Sequence, residues 1–152
     1  MNKKTSNSGK AFIKSFEGKR LVAYDDGTGV WTIGCGTIKY PNGKAVKKGD
    51  VCTDAQVDQY FSNDLVKFEN SVNSLVKVPL TQNQFDALVC FVFNVGRTNF
   101  KTSTLLKFIN EQLWDKIPKQ FMRWVYHDKK LIKGLENRRK IEVRLWNNEN
   151  IT

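Results

Sequence analysis

The sequence is poor in the residues that build metal centres and disulfide frameworks. Its 152 residues include one histidine, His127, and three cysteines, Cys35, Cys52 and Cys90. They form no CxxC pair and no His/Cys cluster, so we predict no metal and no cofactor. The cysteines lie in or beside apolar runs, which favours reduced core residues of a protein made in the cytosol over a free reactive thiol. His127 lies in a basic loop segment, and we assign it no role.

Long apolar runs are absent as well. The start of the chain, MNKKTSNSGKAF, is polar and lacks the stretch of roughly 7 to 15 apolar residues that marks a signal peptide. Nothing later approaches the run of about 18 apolar residues that a membrane-spanning helix needs. The sequence therefore predicts a protein that is soluble as made, inserts into no membrane, and needs help to reach a target outside the cytoplasm.

Acidic residues are scarce, because 15 Asp and Glu stand against 25 Lys and Arg, a formal net charge of +10 at pH 7. The excess lies towards the two ends: residues 1–48 and residues 116–144 each hold ten basic and three acidic residues, whereas residues 49–115 hold five basic and eight acidic. A basic surface attracts polyanions, which include nucleic acids and the anionic polymers of a bacterial envelope. Charge alone equally allows a plain solvated surface.

The front of the chain predicts one helix and a small sheet. Residues 8–17 carry Phe12, Ile13 and Phe16 at helical spacing. The segments LVAY and VWTI follow, separated by DDGTG, a pattern typical of a β-hairpin whose turn uses glycine. A PNG turn at residues 41–43 suggests a third short strand or a loop. The length of the chain fits one compact unit or two small lobes that share a core.

From Thr53 onward the pattern is helical almost to the end. Capping boxes, in which a threonine and a glutamine three residues later bond each other's backbone N–H, begin helices at Thr53 and Thr81. The first continues for about 20 residues or more and could connect two lobes, and the second, FDALVCFVFNVG, is apolar on nearly every side and should be buried. Ser103 can cap the next helix, Pro118 suits a first helical turn, and a last basic helix follows Gly134.

Glu17, Asp26 and Thr32 are the candidates for chemistry. Glu17 lies beside the apolar face of the first helix, where desolvation would raise its pKa toward that of a general acid, although Lys19 and Arg20 could oppose this shift. Asp26 lies in a polar glycine turn and should stay ionised. Two carboxyls whose pKa values are pushed apart are the pattern of glycoside hydrolysis, and the Thr32 hydroxyl could orient a water. The alternative is ordinary turn and helix-end residues.

The stretch FEGKRLVAYDDGTGVWTIGCG places Glu17, Asp26 and Thr32 at intervals of nine and six residues. It closely resembles the Glu, Asp and Thr catalytic signature of phage-type lysozymes, the glycoside hydrolases of tailed-phage endolysins. The resemblance continues through LTQNQFDALVCFVFNVG, FKTSTLLKFIN, RWVY and GLENRRKIEVRLW, and so covers roughly residues 8–147. Several motifs in the right order make it highly specific.

The resemblance implies an α+β, lysozyme-like fold in which a long helix joins a small β-hairpin lobe to a larger helical lobe, with an active-site cleft between the lobes. A single domain would span residues 1–152, with the small lobe at about 18–52, the connecting helix at about 53–76 and the helical lobe at about 80–148. The N-terminal helix, residues 8–17, is expected to pack on the helical lobe.

The resemblance also implies the reaction. The substrate would be bacterial peptidoglycan, cut between N-acetylmuramic acid and N-acetylglucosamine by a muramidase that causes cell lysis. Glu17 would protonate the glycosidic oxygen, while Asp26 and Thr32 would position and activate the attacking water, a route that inverts the sugar configuration. Family spacing selects Asp26 over its neighbour Asp25, which is left with a turn-forming role.

Sugar-binding positions carried over from the family are Ile38, Phe93, Asn94 and Thr104. An aromatic edge and short polar groups suit the faces and hydroxyls of a sugar, although Phe93 is equally suited to a core and Thr104 to a helix start. Asn94 lies in so apolar a helix that its amide needs a partner, which we expect near the catalytic carboxylates.

Arg138 and Arg139 match a basic pair in the family's last helix. Either one of them supports Glu17 through a salt bridge, or the pair belongs to a solvated basic face. Thr37 is a departure from the family, because many relatives have histidine at this position. The resemblance therefore implies that a histidine-dependent salt bridge of the small lobe is missing, which concerns stability rather than catalysis.

Two other functions compete with a muramidase. A nucleic-acid-binding protein would use the basic ends, but no nucleic-acid motif and no basic region with interleaved aromatic residues is present, so no specific nucleic acid is expected. In a catalytically silent peptidoglycan-binding relative, an intact Glu, Asp and Thr set would be unexpected. By the family resemblance we expect a monomer that binds peptidoglycan and anionic envelope polymers. It would be made in the host cytoplasm and act on the wall after a holin-type partner permeabilises the membrane.

Overall fold

The computed structural model describes residues 2–149, which fall into two compact units. One unit is Lys10–Val66, and the other combines residues 2–9 with residues 67–149. Both boundaries fall inside helices, so two helices contribute residues to both units. Residues 1 and 150–152, the ends of the domain expected from the sequence, lie outside the described residues. The predicted lobe boundaries, and the predicted packing of the first helix on the helical lobe, stay predictions.

The unit Lys10–Val66 is built around a β-hairpin. Helix α1 is Asn7–Lys14 and helix α2 is Asp54–Leu75, and between them strand β1, Arg20–Asp25, pairs antiparallel with strand β2, Trp31–Gly34. Only isolated bridges follow β2 in this unit, so the PNG turn closes a loop rather than a third strand. The predicted hairpin and the predicted long helix after Thr53 are confirmed.

The apolar spacing predicted that the first helix continues to residue 17. In the structure, helix α1 ends at Lys14. Beyond this point the N–H groups of Phe16 and Glu17 donate to carbonyl oxygens three residues back, at 3.1 and 3.0 Å. Such bonds make tighter turns than an α-helix, in which the N–H reaches four residues back. Glu17 therefore lies in a turn after the helix, and the strand begins three residues later at Arg20.

The hairpin is held by a small apolar core. Ala23, Ile33 and Val46 are buried together, and the partly buried rings of Tyr40 and Tyr60 pack against them. The two rings lie 5.1 Å apart between centroids. Because alternate residues of a strand face the same side, Ala23 of β1 and Ile33 of β2 turn toward this core while their neighbours face away.

Helix α2 begins with the predicted capping box. The Thr53 N–H donates to the Gln56 side chain at 2.9 Å, and the Gln56 N–H donates to the Thr53 hydroxyl at 3.1 Å. Asp64, the polar exception in the apolar stripe of this helix, accepts a hydrogen bond from the hydroxyl of the buried Thr37 at 2.7 Å. Thr37 thus bonds α2 through a neutral side chain.

The second unit is helical. After the end of α2 it contains the helices α3 to α7, one 3₁₀ turn and a short hairpin. In chain order these are α3 (Gln82–Val95), α4 (Arg97–Lys101), α5 (Thr104–Asn110), the 3₁₀ turn (Trp114–Lys116), α6 (Ile117–Phe121), β3 (Tyr126–His127), β4 (Lys130–Leu131) and α7 (Lys133–Trp146). None of the helices within residues 2–149 combines the length and apolar content that crossing a membrane requires.

Helix α3 forms the centre of this unit. Its capping box at Thr81 is present as predicted, and every residue from Phe85 to Val92 is buried. The ring of Phe91 meets Phe121 and Trp124 edge to face, with centroids 5.4 and 5.7 Å apart. Such arrangements add about 0.5 to 1.5 kcal/mol per pair beyond area burial. The prediction of a buried central helix is confirmed.

The later helices begin with the caps that the sequence predicted, but the short hairpin before the last helix was not predicted. Ser103 accepts a hydrogen bond from the Leu106 N–H at 3.0 Å, as a cap should, and Pro118 lies in the first turn of α6. The prediction of nearly continuous helix to the end is wrong at residues 126–131, which form a hairpin. Its turn residues Asp128 and Lys129 have φ of 49° and 67°, values that sequence patterns assign to glycine or asparagine turns.

The three cysteines are free thiols. Cys35 and Cys90 are buried, which confirms them as core residues, and Cys52 is half-buried. Burial raises the pKa of all three thiols, and Cys90, next to Glu142, is raised well above its ordinary value. Because the thiolate is the reactive form, the raised pKa values disfavour the alternative of a free reactive thiol.

Candidate active site

Glu17 lies in the turn between α1 and β1 and is half-buried. The two basic residues expected to oppose its desolvation both have other partners. Lys19 forms an ion pair with Asp54, with 2.6 Å between Nζ and Oδ1, and the guanidinium of Arg20 lies 5.0 Å from the ring centre of Tyr24. The positive charges beside Glu17 in sequence are therefore shared with other groups.

Asp26 forms the first corner of the hairpin turn after β1. Its Oδ1 atom accepts hydrogen bonds from the N–H of Thr28 at 2.8 Å, from the hydroxyl of Thr28 at 2.6 Å and from the N–H of Val30 at 3.3 Å. These bonds favour the charged form, and the bond from the Thr28 hydroxyl contributes most to the lowered pKa of Asp26. The prediction that Asp26 stays ionised is confirmed.

Thr32 lies on β2 and is 5% exposed. Its hydroxyl donates to the carbonyl oxygen of Val30 at 3.3 Å, and the same oxygen accepts the N–H of Asp26 at 3.1 Å. The Cα partner of Thr32 on β1 is Tyr24, two residues before Asp26. The hairpin thus brings Asp26 and Thr32 together around one peptide group.

Asp25 is the last residue of β1, and its side chain accepts hydrogen bonds from the backbone of the turn. Its Oδ1 atom accepts the N–H groups of Gly27 at 2.8 Å and Gly29 at 3.0 Å. Both glycines have positive φ, 95° and 89°, which other residues rarely adopt. Asp25 therefore has the turn-forming part predicted for it. Asp26 makes turn-forming bonds as well, and in both residues these bonds end on Oδ1.

The four predicted sugar-binding residues occupy different positions. Ile38 is 51% exposed in the loop after β2, and Thr104 is the half-buried first residue of α5, directly after its cap. Phe93 is half-buried near the end of α3 and meets Phe68 edge to face at 5.2 Å. Ile38 belongs to the unit Lys10–Val66, and Phe93 and Thr104 belong to the other unit.

Asn94 is exposed in the last turn of α3, and a position of its amide near the catalytic carboxylates stays a prediction. The buried part of helix α3 ends at Val92. The sequence is apolar on both sides of this point and does not show where burial ends. The amide oxygen of Asn94 does have a partner, because it accepts a hydrogen bond from the guanidinium of Arg139. That guanidinium also lies 4.8 Å from the ring centre of Phe91.

Arg138 and Arg139 are buried, so their interpretation as a solvated basic face is wrong. Arg138 is 6% exposed and Arg139 is fully buried, and both form ion pairs with the fully buried Glu142 on the same helix, α7. Arg138 also donates to the carbonyl oxygen of Cys90 at 3.0 Å and Arg139 to that of Trp124 at 3.1 Å. A salt bridge from one of these arginines to Glu17 stays a prediction.

Glu142 is the shared partner of Arg138 and Arg139, and the sequence did not single it out. Burial raises the pKa of its carboxyl and lowers the pKa of Arg139, while the attraction between the opposite charges works against both shifts. The available signal was the spacing, since Arg138 and Arg139 precede Glu142 by four and three residues and so share a helix face with it. No pattern in the sequence indicated that this face is buried.

The described residues contain no candidate metal centre. Across residues 2–149, no group of three or more His, Cys, Asp or Glu side chains is arranged to hold an ion. In the unit Lys10–Val66, Glu17 supplies a half-buried carboxyl, Asp26 a carboxylate with a lowered pKa and Thr32 a hydroxyl. Two carboxyl groups are what acid and base catalysis of glycoside hydrolysis requires.

Known proteins share this fold and sequence. The chain is 39% identical over 145 residues to an endolysin of Acyrthosiphon pisum secondary endosymbiont phage 1, which covers 93% of this chain and 96% of that protein. It matches the structure of an endolysin from Escherichia coli O157:H7 phage FAHEc1 with a TM-score of 0.87 and 39% identity, over 96% and 94% of the two chains. It matches the muramidase domain of SpmX from Asticaccaulis excentricus with a TM-score of 0.83 and 35% identity, over 94% and 97%.

These matches define a lysozyme-type glycoside hydrolase with the α+β lysozyme-like fold predicted from the sequence. The family model for phage lysozyme matches residues 14–142, and the chain belongs to this family. The resemblance seen in the sequence is thereby confirmed, and so is the prediction of an endolysin muramidase that acts on peptidoglycan and causes lysis. A nucleic-acid-binding protein and a catalytically silent relative are not favoured.

Proposed function

We propose that the chain cuts the glycosidic bond between N-acetylmuramic acid and N-acetylglucosamine by an inverting reaction. Glu17 donates a proton to the leaving oxygen, and Asp26 and Thr32 hold and activate the attacking water. The observation that carries this proposal is the hairpin turn, in which an ionised carboxylate and a hydroxyl are bonded to the same residue, Val30.

The environment of Glu17 supports its role as the acid. A general acid must hold its proton until the leaving oxygen takes it, which requires a site less polar than water. Glu17 is half-buried and follows the apolar pair Ile13 and Phe16 in the turn after α1. Lys19, the nearest lysine in sequence, is paired with Asp54, which reduces its pull on the Glu17 carboxyl.

The bonding of Asp26 supports its role as the base. All of its hydrogen bonds within the described part of the chain end on Oδ1, so Oδ2 is available to a water. The Thr32 hydroxyl, tied to the carbonyl oxygen of Val30, offers a second contact to that water. Inverting glycosidases leave about 6.5 to 9.5 Å between their carboxyl groups so that a water fits between base and sugar.

Ile38, Phe93, Asn94 and Thr104 are proposed to bind the sugars. The exposed side chain of Ile38 offers an apolar surface, and the half-buried ring of Phe93 offers an edge. The amide of Asn94 is exposed and is held by Arg139, so its free amide hydrogens can point at a sugar hydroxyl without losing that bond. Support for these four positions comes from the family motifs on which they lie.

The proposed roles are tested by lysis of purified peptidoglycan. We expect Glu17→Gln and Asp26→Asn to slow the fall in turbidity by about 10² to 10⁴, the usual contribution of general acid and base catalysis. Glu111→Gln is the matched control, because Glu111 is an exposed carboxylate at the end of α5. Wild-type activity in Glu17→Gln would contradict the assignment of the acid.

We also propose that the enzyme acts as a monomer and reaches the wall through a holin-type partner that opens the membrane. The excess of basic residues over acidic ones supports adsorption to anionic envelope polymers once the wall is reached. Bacteria expressing the chain should stay intact until a membrane-permeabilising agent is added. Lysis without such an agent would contradict the proposal.

A further inference from the structure

The unit Lys10–Val66 has a groove that the proposed catalytic residues do not line. Its volume is about 550 Å³, and none of the seven residues proposed for catalysis or sugar binding lines it. It is formed by the loop that follows β2 and by the first turns of α2. The lining residues with the relevant chemistry are Tyr40, Asn42, Lys44, Lys47, Gln59 and Tyr60.

Two fixed aromatic rings form the apolar part of this groove. Tyr40 and Tyr60 lie 5.1 Å apart at an angle of 59°, and both pack on the small core of the hairpin. The hydroxyl of Tyr40 donates to Oδ2 of Asp50 at 2.7 Å, and that oxygen also accepts the N–H of Lys47 at 3.1 Å. The rings are therefore pre-organised, and a ligand that packs on them loses little entropy in ordering them.

The rim of the groove is positively charged. Two exposed lysines, Lys44 and Lys47, line the groove against one carboxylate, Asp50. The hydrogen bond from Tyr40 lowers the pKa of Asp50, so this carboxylate is charged, but its charge is directed at groups of its own loop. The surface that a ligand meets is thus aromatic at the base, basic at the edge, and supplied with the amides of Asn42 and Gln59.

We propose that this groove binds a second stretch of the peptidoglycan strand, outside the catalytic site. The tyrosine rings suit the apolar faces of the sugars, the amides suit N-acetyl groups, and Lys44 and Lys47 suit the carboxylates of the peptide stems. The inference uses the substrate of the proposed function but does not depend on its catalytic residues. The groove holds the enzyme on an insoluble wall between successive cuts.

Binding is measured by co-sedimentation with purified peptidoglycan sacculi, in a Glu17→Gln background that prevents cleavage. We expect the double variant Lys44→Glu/Lys47→Glu to bind about three- to tenfold more weakly, as loss of two exposed charge contacts predicts. The matched control is Lys101→Glu/Lys107→Glu, two exposed lysines of the other unit with the same change in net charge. Lys44→Arg/Lys47→Arg keeps the charge and should bind like the parent.

The aromatic part is tested separately from the charge. Tyr60→Leu should weaken co-sedimentation while Tyr60→Phe, which keeps the ring, should not, with circular dichroism showing that each variant is folded. If Lys44→Glu/Lys47→Glu and Lys101→Glu/Lys107→Glu lose the same affinity for sacculi, net charge alone drives adsorption and the proposal is overturned. The proposal would also be overturned if Lys44→Glu/Lys47→Glu lost affinity for duplex DNA and kept its affinity for sacculi.

An activity assay of the protein with Glu17 intact, run beside co-sedimentation in the Glu17→Gln background, separates this inference from the proposed function. If the parent with Glu17 intact releases no reducing sugar from sacculi, the proposed function fails, while co-sedimentation still reports on the groove. If the protein with Glu17 intact is active, the proposed function stands. If Lys44→Glu/Lys47→Glu in the Glu17→Gln background then co-sediments as well as Glu17→Gln alone, the groove inference is wrong.

Discussion

Asp26 and Thr32 are joined through one residue, Val30. The N–H of Asp26 and the hydroxyl of Thr32 both donate to the carbonyl oxygen of Val30, at 3.1 and 3.3 Å, and the N–H of Val30 donates back to Asp26 Oδ1 at 3.3 Å. A water placed by one of these side chains is therefore placed relative to the other. Changes that disturb the turn should affect catalysis even where the substituted residue does not touch the substrate.

The two neighbouring aspartates should respond differently to the same substitution. Asp26→Asn removes the charge proposed to activate water, and we expect the rate of peptidoglycan hydrolysis to fall by about 10² to 10⁴. Asp25→Asn keeps an oxygen that can accept the N–H groups of Gly27 and Gly29, so most of the activity should remain. Initial rates of turbidity loss measure both variants, and the reverse order of activities would contradict the assignment.

Thr28 should control the acidic side of the pH profile. Its hydroxyl gives the largest contribution to the lowered pKa of Asp26, so Thr28→Ala should raise that pKa toward its ordinary value. Asp26 then takes up a proton at a higher pH as the solution is acidified, and the acidic fall in kcat/KM moves to higher pH. The ionised Asp26 carboxylate also stabilises the folded turn, and this contribution is lost as the pH falls through the folded pKa of Asp26.

Thr28→Ser is the matched control for this pH shift, because it retains the hydroxyl that donates to Asp26 at 2.6 Å. Its acidic fall in kcat/KM should coincide with that of the parent. An identical profile in Thr28→Ala and Thr28→Ser would show that the hydroxyl does not hold Asp26 in its ionised form during turnover.

The buried charges of α7 should be essential to stability. Glu142→Ala leaves Arg138 and Arg139 buried without their shared carboxylate, and breaking a buried ion pair in this way costs about 3 to 5 kcal/mol. Urea unfolding monitored by circular dichroism measures the free energy of unfolding. The control, Glu136→Ala, removes a carboxylate of the same helix whose partner Lys133 is exposed, and it should have a much smaller effect. Equal losses would contradict a special role for the buried cluster.

Thr37 should contribute to stability through its bond to α2. Thr37→Val keeps the shape of the side chain and removes the hydroxyl that donates to Asp64 at 2.7 Å, so we expect the free energy of unfolding to fall by about 1 kcal/mol. Thr37→Ser, which keeps the hydroxyl, should recover part of this loss. A Thr37→Val variant as stable as the parent would show that the bond has no net value.

The sequence predicted the features that local chemistry determines. The capping boxes at Thr53 and Thr81 depend on side chains three residues away, and both are present. The hairpin and its ionised Asp26 likewise depend on a few adjacent residues and on glycines that accept positive φ. The family motifs then chose among carboxylates that local chemistry left equivalent.

The features that the sequence did not predict depend on distant parts of the chain. Arg138 and Arg139 look like surface residues until the third member of their cluster, Glu142, is seen to be buried with them. The hairpin at residues 126–131 was missed because its turn uses Asp128 and Lys129 at positive φ in place of glycine. A pattern of residue types cannot show a burial or a turn that the rest of the fold imposes.

The stereochemistry of the reaction tests the central claim most directly. Water activated by Asp26 and Thr32 attacks the face opposite the leaving group, so cleavage of a β-linked strand should first release the α-anomer of the new reducing sugar. Proton NMR of a soluble peptidoglycan fragment, recorded in the first moments of hydrolysis and before mutarotation, distinguishes the two anomers. The α-anomer should appear first, and a β-anomer as the first product would contradict the inverting route.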